Sequence, residues 1–192
     1  MFALQALVVI VIAAGVGLGS AWLVIDRQIA FEAVQSGSWT AWPYASEAGS
    51  DPYVRAGMVT SGFVPLNIAE GLAFTARLDS AGRPIRADCT YVVSGRMPAA
   101  RWWTLAAYRD EDFTLMDNPA QRYGFDSTEA LRRQDGTLEV IVSPLVQAGN
   151  WLPSDGAAGE LRYMLRLYDT PLSIGGTVGD AELPTIERRG CP

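Results

Sequence analysis

The apolar and polar positions of this chain follow two regimes. Residues 3–25, ALQALVVIVIAAGVGLGSAWLVI, hold no charged side chain, and every charge lies at Asp26 or later. That uncharged run would rise roughly 34 Å as a helix, enough to cross the hydrocarbon core of a bilayer. The pattern predicts a transmembrane anchor over 1–25. Residues 26–50 mix Gly, Ser and Ala with Trp39 and Trp42 and read as a linker, leaving 51–192 as one folded domain.

Within 51–192 the period changes. Asp51 can cap the free amides of a helix start, Pro52 suits its first turn, and Gly57 or Gly62 can end it. Val54 and Met58, four apart, give that short helix an apolar face. Beyond Gly62 alternation takes over. Leu72, Phe74, Ala76 and Leu78 fall on one side of a strand, with Thr75 and Arg77 on the other. Residues 89–95, 101–108, 113–116 and 137–143 read as further strands, and 127–133 as a turn or two of helix capped by Ser127. In 160–168, Leu161, Tyr163, Leu165 and Leu167 alternate with Arg162, Met164, Arg166 and Tyr168. Strands separated by Gly, Pro and Asp turns predict a mainly β fold. The expected form is an antiparallel, jelly-roll-like sandwich with one or two short helices, preceded by a single N-terminal transmembrane helix.

Two other readings of the apolar run are weaker. A cleaved signal peptide wants a basic start and a short apolar core. Here Met-Phe-Ala lacks a basic side chain, and Trp22–Ile25 continues the run past the small residues Gly19-Ser20-Ala21. A dinucleotide fingerprint at Gly15-x-Gly17-x-Gly19-Ser20 lacks the second strand that should follow it. As a membrane helix, the same letters put Gly15, Gly19 and Ser20 on one small-residue face suited to a partner helix.

Composition narrows the chemistry. The net charge is −6, so a phosphate backbone would be repelled and nucleic acid is not an expected partner. The 15 basic residues are all arginine, and histidine and lysine are absent. This removes Schiff-base lysines, Ser–His triads and histidine-ligated metals. No cofactor or metal is expected. Cys89 and Cys191 lack metal-site spacing. In an oxidising compartment they would pair, placing the domain outside the cytoplasm; the alternative is a buried thiol at Cys89 and a loose one near the end. Arg27, just after the apolar run, orients it only weakly.

Candidate site residues form an aromatic and amide set: Trp102, Trp103, Asn118, Arg122, Tyr123, Asn150, Trp151, Arg166 and Tyr168. Trp102 and Trp103 are adjacent in a strand, so one faces the core and the other the opposite surface. An exposed Trp beside Asn and Arg can stack on a sugar or hold a partner segment. The architectural alternative makes Asn150-Trp151-Leu152-Pro153 a turn whose Asn bonds its own backbone. Arg55 and Arg166 are expected to be buried against carboxylates such as Glu70 or Asp79. Asp110-Glu111-Asp112 reads as a solvated hairpin tip.

Several of these segments occur together in a known arrangement. They are Asp51-Pro-Tyr-Val-Arg-Ala56, Asp79-x-x-Gly82, Tyr91-Val-Val-Ser-Gly95, Arg101-Trp-Trp-Thr-Leu105, Asn118 with Arg122-Tyr123, Asn150-Trp-Leu-Pro153 and Leu165-Arg-Leu-Tyr168. In this order they resemble the bacterial domain of unknown function 1214, from about Gly37 to about Tyr168. The resemblance implies a jelly-roll-like domain, often behind one membrane helix and facing the periplasm. Its membrane-anchored branch has a cysteine before the Tyr-Val-x-Ser-Gly strand and one at the C-terminus, which implies pairing of Cys89 with Cys191. It carries no settled activity. The expected location is the bacterial inner membrane, single-pass, with the N-terminus cytoplasmic and the domain periplasmic. The preferred reading is a non-catalytic accessory or structural subunit docking on a membrane complex, with lipid and a membrane protein as partners. The alternative is a cell-envelope enzyme or binder acting on carbohydrate or lipid, with an envelope glycan met by the Trp/Asn/Arg set.

Overall fold

The computed structural model describes residues 1–26, 32–175 and 178–192. Phe2–Asp26 forms one helix, α1, and its span Phe2–Ile25 is long and apolar enough to cross a membrane by length and composition. Its most apolar 18-residue stretch is not buried against the rest of the chain, and near its end only Ala21, Val24 and Ile25 are partly covered. A second helix, α2 (Pro52–Ser61), starts and stops where its ends predict. The Asp51 carboxylate accepts the Tyr53 and Val54 amides, Pro52 fills the first turn, and Gly62 closes the helix in the left-handed conformation at φ 70°. A four-residue helix, α3 (Leu172–Gly175), follows much later.

The strands in chain order are β1 (Val34–Ser36), β2 (Trp39–Ala41), β3 (Gly71–Ala76), β4 (Thr90–Gly95) and β5 (Trp102–Arg109). They continue as β6 (Gly124–Asp126), β7 (Leu138–Ser143), β8 (Asn150–Pro153), β9 (Leu161–Tyr168) and β10 (Thr185–Gly190). One sheet has the order β1-β2-β3-β9-β5-β6; the other has β10-β4-β7-β8. Because successive side chains alternate between faces, each strand of the pair of sheets feeds a shared core. Leu161, Tyr163, Leu165 and Leu167 of β9 enter it beside Leu72, Phe74, Trp103 and Leu105. The second sheet supplies Tyr91, Val93, Val140, Val142 and Ile186. Gly71 permits the closest backbone approach in the large sheet: a Cβ there would lie 2.1 Å from the Leu167 carbonyl oxygen.

The mainly β sandwich agrees with the alternation, but several local readings need correction. The stretch 26–50 is not a plain linker. Its part from Val34 to Ala41 supplies β1 and β2, with Trp39 in the core and its indole donating to the Pro184 carbonyl at 2.7 Å. Residues 27–31 lie outside the described residues. The expected strand at 113–116 is a turn with a single bridge, Tyr108 to Leu115, because Phe113 takes φ 60° and reverses the chain. The expected helix at 127–133 does not form. The Asp126 carboxylate holds the Thr128 and Glu129 amides in a local turn instead.

The antiparallel expectation fails at one pair. β7 and β8 run parallel, joined by only six residues, 144–149. Parallel neighbours usually need a dozen residues or more to return. Here Asn150 pairs with Val140, so the chain backtracks by about three residues, roughly 10 Å, well inside the reach of that loop. β10 was not foreseen either. It pairs with β4 as far as Gly190–Thr90, and the residues just beyond, Cys191 and Cys89, form a disulfide.

Candidate functional site

The sequence-predicted set separates into four places. Trp103 is core, 2% exposed. Trp102, 37% exposed, points out of the six-stranded sheet and lies against Tyr168, ring centres 5.1 Å apart. Arg166 shares that outer face, two residues along β9, and reaches the Tyr108 hydroxyl at 3.5 Å. Asn118, Arg122 and Tyr123 lie in the β5–β6 connection, with the Arg122 guanidinium 4.9 Å from the Phe125 ring centre. Asn150 and Trp151 belong to β8, in the other sheet.

The two asparagines are occupied by the backbone. Asn118 donates to the Met116 and Arg122 carbonyls and accepts the Arg122 amide. Asn150 accepts the Leu131 amide at 2.8 Å and donates to the Leu131 and Glu139 carbonyls. The expected self-bonded turn at Asn150 is therefore replaced by a clamp between distant segments. Trp151 donates its indole N–H to the Ser143 carbonyl. The Asp126 carboxyl, on the neighbouring strand β6, is held below its ordinary value mainly by the Thr128 hydroxyl and amide.

The sequence reading missed a buried ion cluster. Arg162 faces away from the core, yet only 4% of it is exposed. Its Nε donates to Asp110 Oδ1 at 2.7 Å, and Arg77 binds the other oxygen of the same carboxylate. The Arg162 guanidinium also lies 4.6 Å from the Phe113 ring centre. Burial lowers the Arg162 pKa against the opposing pull of Asp110. Asp110 is thus no part of a solvated tip, although Asp112 does cap its own turn through the Thr114 amide. The available signal was Arg162 itself. An arginine on the non-core side of a central strand, flanked by Tyr163 and Leu161, needs a cover and a counter-charge.

That cover is the layer built by α2. Phe63, just after the helix, packs on Ala73 and Met164 of the outer sheet face, with Met58, Leu66, Tyr108 and Phe113 around it. The last turn of α1 meets this layer: Val24 and Ile25 border a small space shared with Tyr53, Val54, Gly57, Met58 and Arg162. α1 thus touches α2, and Met58 of α2 with Phe63 packs on the outer face of the sheet.

An open cleft of about 1270 Å³ runs from β2 to the segment before β10, and Thr75 and Arg162 border it as well as the space beside α2. Asp79 lies in its wall. Burial pushes the Asp79 carboxyl up, but the Arg83 and Ala81 amides and the Arg83 guanidinium outweigh this and leave it below its ordinary value. Arg188 Nε adds a second cation 3.3 Å away. Asp79 is an ionised acceptor at neutral pH, and the cleft wall around it is held by charge pairing. Among the described residues, the expected carboxylate partners of Arg55 and Arg166 do not form: Arg55 is exposed, and Asp79 pairs with Arg83 and Arg188. Among the described residues, no group of three or more His, Cys, Asp and Glu is placed to hold a metal ion.

The family described as a protein of unknown function, DUF1214, matches residues 70–172. The chain belongs to the DUF1214 family. The match runs from the start of β3 to the start of α3, so it includes Arg162, Asp110 and the Asn150 clamp. It leaves α1, α2, β1, β2 and β10 outside. No curated protein matches this DUF1214 chain. A crystal structure of a Vibrio parahaemolyticus protein shares the fold, with TM-score 0.59 and 19% identity over 72% of this chain. A Burkholderia cenocepacia protein of unknown role overlaps at TM-score 0.46 and 15% identity over 90% of this chain. The chain spans 35% of the Vibrio protein and 41% of the Burkholderia protein.

Proposed function

We propose that this DUF1214 protein is a single-pass membrane protein whose β domain stands in the periplasm and works by docking, as an accessory or structural subunit of a membrane complex. The observation that carries this reading is the contact of α1 with α2 and the packing of Met58 and Phe63 on the outer face of the sheet. That packing couples any partner of the helix to the β domain. The Cys89–Cys191 disulfide supports a domain in an oxidising space, with the N-terminus on the cytoplasmic side.

A partner helix would use Gly15 and Gly19. A Cβ built at either position meets nothing within 4 Å, so the face is open. Ser20 beside them spends its hydroxyl on the Gly17 carbonyl, which leaves close packing as the main attraction. The test is purification of the tagged native protein in gentle detergent, wild type beside Gly15→Leu and Gly19→Leu. The reading predicts a stoichiometric membrane protein in the wild-type sample that is lost from the variants. A lone monomer in the wild-type sample would refute it.

The glycan-binding alternative keeps one supporting observation, the exposed Trp102–Tyr168 pair with Arg166 on the same face. Quenching of tryptophan fluorescence by envelope oligosaccharides, abolished in Trp102→Ala, would favour it over docking.

A further inference from the structure

We infer that α2 and the loop after it form a second membrane contact, lying in the headgroup region of the leaflet through which α1 leaves the bilayer. This rests on the reading of α1 as an anchor. Residues 52–69 contain one charged side chain, Arg55, in a chain with 21 acidic residues and a net charge of −6. Apolar side chains on this stretch face outward although a core lies beneath: Val59 is 82% exposed and Val64 73%. Arg55 and Val59 are four apart, so they share a helix face. Together with Met58, Phe63, Val64 and Pro65 they line an open groove of about 420 Å³. Tyr53, also exposed, points to the side where Val24 and Ile25 of α1 approach.

The position selects the occupant. Ile174 of α3 is also exposed, but among the described helices and strands α1 meets α2 and not α3. The α2 patch is continuous with the anchor's last turn, which sits at the depth of the membrane interface if the helix spans. An interfacial helix needs apolar side chains at the acyl boundary, aromatic hydroxyls at headgroup level and cations near phosphate. Val59 and Val64, Tyr53, and Arg55 supply these in turn, with no carboxylate among them to be repelled by anionic lipid. The patch would fix the tilt of the β domain over the bilayer.

The experiment uses the full chain in nanodiscs of phosphatidylethanolamine and phosphatidylglycerol doped with a phospholipid bearing a shallow acyl diazirine. After photolysis, adducts are mapped by mass spectrometry. Adducts on α1 and on residues 53–64 are expected, and those on 53–64 should fall several-fold in Val59→Asp/Val64→Asp while those on α1 persist. Retention of the Cys89–Cys191 disulfide on a non-reducing gel reports that the variant is folded. Adducts on α1 alone, as when a protein partner covers the patch or water bathes it, would overturn this inference and leave the anchor standing. Equal labelling of 53–64 in the variant would overturn the residue assignment. Absence of adducts on both segments would overturn the anchor and this inference together.

Discussion

Arg162 donates from Nε to Asp110 Oδ1 at 2.7 Å, with both side chains nearly out of solvent in the layer between the sheet and α2. Removing the carboxylate of such a pair takes the main opposite charge from the buried guanidinium. Asp110→Ala is therefore expected to cost about 3–5 kcal/mol. Arg77 binds the same carboxylate from a side chain that is 44% exposed, so Arg77→Ala should cost less than about 1 kcal/mol. Denaturant unfolding of the full chain in detergent distinguishes the two. Equal costs would mean that Arg162 gains little from Asp110.

The Cys89–Cys191 bond closes a sequence separation of 102 residues and joins the open end of β10 to the start of β4. On chain-entropy grounds a loop near that size is worth about 4.7 kcal/mol. Cys191→Ser should lower stability by up to that amount and release β10 first. Hydrogen exchange would show lost protection at 185–190 before β9 is affected.

Asn150 ties the Leu131 amide and two carbonyls into one clamp at the edge of the smaller sheet. Asn150→Ala leaves these part-buried backbone groups to water or unpaired, at up to about 1–3 kcal/mol for a group that water does not reach. Asn150→Asp should be worse, because it removes both donated bonds and sets a carboxylate against two carbonyl oxygens. Thermal unfolding of the two variants gives the order directly.

Much of this architecture was legible in the sequence. The alternation of Leu161, Tyr163, Leu165 and Leu167 placed β9 and its core face correctly, because a long central strand keeps period two over its whole length. Asp51 and Gly62 bounded α2 through local capping chemistry. β1 and β2 were not legible, since three residues each are too few to show a period, and Trp39 is fixed by Pro184, 145 positions away. The site suffered for the same reason. Which carbonyl Asn118 or Asn150 reaches, and that Phe113 turns back to cover Arg162, depend on tertiary partners that spacing does not encode.

Asp79 makes stability depend on acidity. Its folded pKa lies below the unfolded value of about 3.9, so its contribution is complete above that value and disappears as pH falls through the folded one. Unfolding midpoints measured downward from pH 5 should drop more steeply for the wild type than for Asp79→Asn. Parallel curves would show that Asp79 adds no pH-linked stability.

The central claim is a membrane-spanning α1 with the disulfide-stapled domain outside the cytoplasm. Protease treatment of intact spheroplasts, against inside-out vesicles from the same cells, tests it most directly. The account predicts digestion of residues 32–192 in spheroplasts, protection in the vesicles, and a membrane-held remnant containing α1. Protection of the domain in spheroplasts, or its release from the membrane by alkaline washing, would contradict it.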